Sequence, residues 1–120
     1  MQQFPEHWNL LTKIDYLQRK ILLNSIAYYE YDAYTVDDHF YDSICKQLVI
    51  LHKAYDKETG RDFSRDSEYG YVFYDFTGDT GYYLYSRLEP DDKYVLDMIT
   101  QCHINQPTIN GEKGRGICLE

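Results

Sequence analysis

Two stripes of apolar residues at helical spacing, one on each side of a polar bend, constrain the fold of this chain more than any other feature. In each stripe the apolar side chains recur every three, four or seven residues, which places them along one face of an α-helix. Two such helices joined by a short bend are expected to pack as an antiparallel pair. The first stripe contains Leu10, Ile14, Leu17, Ile21 and Tyr28, and the second contains Tyr41, Ile44, Leu48, Leu51 and Tyr55.

Capping signals mark the starts of both helices. Thr12 followed by Asp15 matches a capping box at the first helix. Asp37 or Asp38 can cap the second helix and complement its dipole. These signals predict helices over about residues 10–30 and 38–55, followed by a polar surface loop over residues 56–67.

A third helix is predicted near the end of the chain. Pro90 suits the first turn of a helix, and the two aspartates that follow it favour a helix N-terminus. We predict a helix over about residues 90–104, with Val95, Ile99 and Cys102 on one face.

Two aromatic runs between the second and third helices are typical of a β-hairpin. The runs "YVFYDF" and "YYLYSRL" flank "TGDTG", and glycine turns between aromatic-rich segments favour paired strands. A hairpin or extended segment is therefore predicted over about residues 70–87. Because a lone hairpin is marginally stable in water, it is expected to lie against the helices.

The predicted fold class is mainly α, with an antiparallel helix pair, a third helix and a short hairpin. A chain of 120 residues has room for one core of ordinary size. We assign residues 1–104 to one helical domain. Residues 105–120, which contain a proline and three glycines without apolar period, are expected to form an irregular tail.

Charge and cysteine usage bear on partners and compartment. The net charge is −8, and residues 58–97 carry ten acidic but only four basic side chains. This balance argues against nucleic-acid binding and favours either a solubilising face or attraction to a basic protein. No apolar run is long enough to span a bilayer, and the three distant cysteines suit reduced, packed thiols. We therefore expect a cytoplasmic protein without membrane contact.

The bend between the two stripes holds an unusual group of side chains. Its sequence, "YYEYDAYTVDDHFYD", contains five tyrosines and five carboxylates. Phenol rings can stack on a heterocycle and carboxylates can accept hydrogen bonds from ribose hydroxyls, so the group suits a nucleoside-like ligand. Alternatively, Asp38 caps a helix and Tyr41 packs between the helices. The predicted ligand-binding residues are Tyr28, Tyr29, Asp32, Asp38, Tyr41 and Asp42.

The run "LLNSIAYYEYDAYTVDDHFYDSICKQLVILH" resembles the N-terminal helical domain of NAD-dependent DNA ligases. In that family a Tyr-Tyr or Tyr-His pair precedes an aspartate, and Asp-x-x-Tyr-Asp opens the next helix. The resemblance covers about residues 14–52. It implies that Tyr28, Tyr29, Asp38, Tyr41 and Asp42 face the nicotinamide mononucleotide (NMN) half of NAD.

Other features of the ligase family are missing from this chain. The Lys-x-Asp-Gly motif and the nucleotidyltransferase domain that carries it do not occur. The chain also lacks H-E-x-x-H, paired zinc-type cysteines, a G-x-S-x-G elbow and a Walker loop. We therefore expect a protein without catalytic, metal or required cofactor sites. The resemblance implies a small phage or prophage protein of Gram-positive bacteria.

A second group of side chains is predicted to form a protein interface. The aromatic run after residue 70 has too many rings for a small core, and exposed tyrosines are common hot spots. Ordinary packing in the hairpin is the alternative. The two functions predicted are inhibition by docking on a basic host protein, such as a nucleic-acid-binding or NAD-consuming defence enzyme, and binding or sequestering of NAD or NMN. The predicted interface residues are Tyr74, Asp75, Asp79, Tyr82, Tyr83 and Tyr85.

Overall fold

The computed structural model describes residues 2–33, 37–79 and 81–104, and this part of the chain contains helices and no strands. The mainly α prediction is confirmed. Two long helices, α1 and α2, and a third helix, α6, surround three helices of one turn each. The bounds are α1 Leu10–Tyr31, α2 Asp38–Thr59, α3 Phe63–Asp66, α4 Gly70–Phe73, α5 Leu84–Arg87 and α6 Pro90–Ile104.

The predicted helix pair is present, and its apolar stripes form the centre of the core. Leu17 and Ile21 on α1, and Ile44 and Leu48 on α2, are completely buried. The stripes are wrong only at the bend, where the Tyr28 side chain is 41% exposed. Burial of these aliphatic side chains supplies most of the stabilisation that holds the pair together.

The helix ends differ from the predictions in detail. Asn9 rather than Thr12 caps α1, since its side-chain oxygen accepts a hydrogen bond of 2.8 Å from the Thr12 backbone N–H. Asp37 caps α2 in the same way through the Phe40 N–H, as predicted. Helix α2 runs four residues further than predicted, to Thr59, and its C-cap is Gly60, whose φ of 71° is the left-handed conformation that glycine favours.

The predicted hairpin over residues 70–87 is wrong. The described residues of this segment contain two one-turn helices, α4 and α5, which bury Phe73 and Leu84 completely. Their tyrosines are paired with α6 and not with a neighbouring strand. The Tyr71 hydroxyl donates to Asp92, and the Tyr85 hydroxyl donates to Asp97 at 2.8 Å. Contacts with a distant helix therefore outweigh the local preference of aromatic residues for strands.

Helix α6 has the predicted bounds, but the predicted face packs against the core only through Ile99, which is partly buried. Leu96 and Thr100 face the core, whereas Val95 is 49% exposed. Thr100 is compatible with the core because its hydroxyl donates a hydrogen bond of 2.8 Å to the Leu96 carbonyl oxygen. The prediction considered only apolar positions. It therefore missed Thr100, whose hydroxyl finds its hydrogen-bond partner within the helix.

A buried polar network attaches the α3–α4 segment to the helix pair. The fully buried Gln18 amide donates to the Ser67 hydroxyl at 3.0 Å and lies 3.3 Å from His52 Nε2. Its oxygen accepts from the Tyr69 backbone N–H at 3.1 Å. The His52 ring stacks on Phe63 at 3.6 Å between centroids. Since every group has a partner, the network orients the segment without an unpaired polar group at Gln18.

The remaining expectations concern cysteines, the membrane and the tail. Cys45 is a buried free thiol, as expected, but Cys102 is exposed, so the expectation of a packed side chain is wrong there. Within the described ranges, no helix is long and apolar enough to cross a membrane. The predicted tail over residues 105–120 lies outside the described residues.

Candidate functional site

Several helix ends meet at the end of the molecule that contains the bend. Helix α1 finishes and α2 starts there. Helix α6 finishes beside them, because the Gln101 amide donates a hydrogen bond of 2.8 Å to the Tyr31 hydroxyl. The segment before α5 also reaches this end, since the Ser25 hydroxyl donates to the Gly81 carbonyl oxygen at 3.3 Å. The fold thus gathers side chains that are far apart in sequence.

The predicted bend residues are mostly exposed at this end. Tyr28 and Tyr29 are 41% and 39% exposed, and their rings form an edge-to-face pair at 4.7 Å. Asp32 ends α1 in the left-handed conformation, with a φ of 53°. Asp38 and Asp42 lie on the first turns of α2, and all three carboxylates are exposed. Residues 34–36 of the bend lie outside the described residues.

Tyr41 has different surroundings from the other predicted bend residues. Its side chain is half-buried, and its hydroxyl lies beside the Ser25 hydroxyl and the Cys45 thiol. A Cβ atom added at Gly81 would lie 3.6 Å from the Tyr41 hydroxyl oxygen. Burial raises the pKa of the Tyr41 phenol well above its usual value. The structure therefore gives Tyr41 the packing position that the sequence left open as an alternative.

The bend residues and the predicted interface residues are neighbours in the structure. Gly78 packs on the Cys45 carbonyl oxygen, which a Cβ would approach to 3.7 Å. Burial raises the pKa of the Cys45 thiol to about 12, and the charges of Asp42 and Asp79 contribute to this increase. Asp42 and Asp79 are therefore both near enough to this buried thiol for their charges to act on it, as is Lys46. We call the joined group the acidic tyrosine surface, which consists of Tyr28, Tyr29, Asp42, Asp79, Tyr82 and Tyr83.

An internal cation lies at the border of the acidic tyrosine surface. The Arg87 guanidinium lies over the rings of Tyr74 and Tyr83, 4.9 Å and 4.6 Å from their centroids. It also donates to both Asp75 oxygens, at 2.7 Å and 3.2 Å. This ion pair lowers the pKa of the Asp75 carboxyl. Asp75 was predicted as a docking residue, but its charge is already paired within the chain.

Tyr85 points away from the acidic tyrosine surface. Its hydroxyl donates to Asp97, and the Lys93 ammonium lies 4.8 Å from its ring centroid. Burial raises the pKa of Tyr85 to about 12, and the hydrogen bond to Asp97 makes a smaller contribution in the same direction. The structure therefore places Tyr85 in the packing between α5 and α6, apart from the other predicted interface residues.

The carboxylates of the acidic tyrosine surface form no ion pair among the described residues, although the charge of Lys46 acts on the same Cys45 thiol as theirs. Residues 21–45 contain five carboxylates and no lysine or arginine. In the part of the chain that the structure describes, the ion pairs are Arg61–Asp66 and Arg87–Asp75, neither of which involves Asp42 or Asp79. Among the same residues, no group of three His, Cys, Asp or Glu side chains could hold a metal ion. The surface is chemically suited to contact a cationic partner group.

Sequence reasoning missed the residues that join the two predicted groups. Ser25, Gly81 and Arg87 belong to different elements, and no local pattern relates them. The arginine was the one available signal, because it is the sole basic residue between Arg65 and Lys93 and follows a tyrosine-rich run.

Comparison with known proteins adds no relative to this picture. No protein-family model, curated protein or solved structure matches the chain. The resemblance to the N-terminal domain of NAD-dependent DNA ligases therefore stays a prediction.

Proposed function

We propose that this protein is a non-catalytic binding protein whose acidic tyrosine surface docks on a basic surface of another protein. The observation that supports this most strongly is that the exposed carboxylates of Asp42 and Asp79 act on the same buried thiol, while neither forms an ion pair in the part of the chain that the structure describes. A basic partner that pairs with both carboxylates gains binding energy from the complementary charges.

The tyrosines supply the second requirement of a docking surface. Tyr28, Tyr29 and Tyr82 are 41%, 39% and 68% exposed, so their rings can be covered by a partner. Exposed tyrosines contribute large contact area with few rotatable bonds, which explains their frequency at interface hot spots. The net charge of −8 increases the rate of encounter with a basic partner. Carboxylates thus attract the partner and phenol rings retain it.

A basic protein surface that binds nucleic acid is the partner class with the best complementarity. Such a surface presents clustered lysine and arginine side chains to phosphates. An acidic protein that covers them excludes the nucleic acid. We propose that the chain acts in the cytoplasm of a bacterial host as a phage-encoded inhibitor of such a protein or of an NAD-consuming defence enzyme.

Calorimetric titration with an octa-arginine peptide tests the docking surface. We expect saturable binding that weakens with added salt, because exposed charges are screened. The double variant Asp42→Asn, Asp79→Asn keeps the side-chain shapes and removes both charges. It is expected to bind about tenfold more weakly, since each exposed ion pair contributes up to about 1 kcal/mol.

The matched control removes the same number of charges elsewhere. Glu58 and Asp91 are exposed carboxylates outside the acidic tyrosine surface. Glu58→Gln, Asp91→Asn is expected to bind nearly as tightly as the wild type. Equal loss of affinity in the two double variants would show that only total charge matters, and the proposed surface would be wrong.

Binding of a nicotinamide nucleotide is a second candidate function, and the exposed Tyr28–Tyr29 pair favours it. The rings can cover a nicotinamide ring while Asp42, on the first turns of α2, accepts hydrogen bonds from a ribose. Titration with NAD and with NMN tests this candidate. Binding that is lost in Asp42→Ala supports it, whereas the absence of heat at millimolar ligand contradicts it.

A further inference from the structure

The contacts of Arg87 show how this chain binds a guanidinium group. The group lies over two tyrosine rings, at 4.9 Å and 4.6 Å from their centroids, and a carboxylate accepts hydrogen bonds from two of its nitrogens. The guanidinium also donates to the Val72 carbonyl oxygen at 2.9 Å. This arrangement depends on a planar, forked cation, which arginine provides and lysine does not.

A tyrosine ring and a carboxylate also occur together beside Arg87. Tyr83, which covers Arg87, also donates its hydroxyl to Asp79 at 3.2 Å. Asp79 accepts a further hydrogen bond of 3.1 Å from the Gly81 backbone N–H. Next to it, Tyr82 is 68% exposed, and its ring meets the ring of Tyr83 edge-to-face at 5.5 Å. A carboxylate with a fixed orientation therefore adjoins an uncovered phenol ring.

We infer that the acidic tyrosine surface selects arginine over lysine in its partner, with one guanidinium covering the Tyr82 ring and pairing with Asp79. This inference rests on the proposed docking function. Each Asp79 oxygen has lone pairs beyond those used by Tyr83 and Gly81, so the carboxylate can accept from an incoming fork. The backbone hydrogen bond at Gly81 holds the carboxylate in place before the partner arrives.

Comparison of octa-arginine with octa-lysine tests the selection, because the two peptides have equal charge and length. We expect octa-arginine to bind about fivefold more tightly, the ratio that one favourable cation–π contact supplies. We expect Tyr82→Ala and Asp79→Asn to bind octa-arginine and octa-lysine with more nearly equal affinities. The control is Tyr94→Ala, which removes a tyrosine that is 66% exposed on α6 and keeps the full preference.

The possible outcomes separate the inference from the function on which it rests. Equal affinity for both peptides contradicts arginine selection and leaves the docking function intact. No binding of either peptide contradicts both. An unchanged preference for octa-arginine in Tyr82→Ala also contradicts the inference, because the ring that is proposed to contact the guanidinium is then absent. Helical circular dichroism of each variant verifies that the fold is kept.

Discussion

Replacing Gly70 with alanine is expected to lower the free energy of unfolding by about 3 kcal/mol, the upper part of the usual range for overpacking. Gly70 starts α4 and is buried. A Cβ atom there would lie 2.6 Å from the Ser64 Cα, and the obstructing atoms belong to the backbone of α3. Because a backbone cannot rotate away as a side chain can, α3 and α4 must separate. Urea unfolding followed by circular dichroism measures the loss.

Gly60→Ala is the matched control. Gly60 has a φ of 71° at the end of α2, but a Cβ there meets nothing within 4 Å. Only the left-handed conformation is then unfavourable, which costs about 1 kcal/mol. If both variants lose the same amount, the close approach of α3 and α4 is wrong. The segment would then have the extended structure that its sequence pattern favours.

Acidification from about pH 7.5 to pH 5.0 is expected to lower the free energy of unfolding by about 2 kcal/mol through His52. Burial lowers the pKa of His52 to about 3 in the folded protein, from about 6.5 when unfolded. The unfolded chain therefore binds a proton that the folded chain excludes. Stability is complete above pH 6.5 and declines as the pH falls towards 3. Urea unfolding at the two pH values measures the difference.

His52→Gln tests the assignment, because glutamine can accept the hydrogen bond from Gln18 but takes no proton. This variant is expected to lose most of the difference between the two pH values, whatever its stability at pH 7.5. His7→Gln, which changes an exposed side chain, is expected to retain it. Carboxyls with lowered pKa, such as Asp62 and Asp66, contribute below this pH window and leave the comparison unaffected. An unchanged pH response in His52→Gln contradicts the buried, neutral histidine.

The long helices could be predicted because their signals are local and repeated. Both apolar stripes, the Asp37 cap and the Pro90 start lie within the elements that they specify. The structure of residues 60–89 could not be predicted, because it depends on contacts with distant residues. Tyr71 and Tyr85 are paired with aspartates of α6, and Gly70 is required by the crossing of α3. The glycine turns and aromatic residues of this region would occur equally in a hairpin, so the sequence pattern does not distinguish a hairpin from the short helices that form.

The candidate site was predictable as two groups of residues and not as one. The sequence identified Tyr28, Tyr29 and Asp42 by their chemistry at the bend, and Asp79 and Tyr82 by theirs in the aromatic run. Their adjacency depends on the turn at Gly78 and Gly81, which have positive φ angles of 90° and 71° and lie beside Cys45 and Tyr41. The burial of Tyr41 and the internal pairing of Asp75 likewise follow from tertiary contacts.

We propose that one surface, formed where the bend meets the segment before α5, binds basic partners. It is tested most directly by nuclear magnetic resonance, with backbone amide spectra recorded while octa-arginine is added. We expect the largest chemical-shift changes to cluster at residues 28–33, 37–45 and 78–83. Changes centred on residues 46–65, or spread evenly over the acidic side chains of the whole chain, would contradict it.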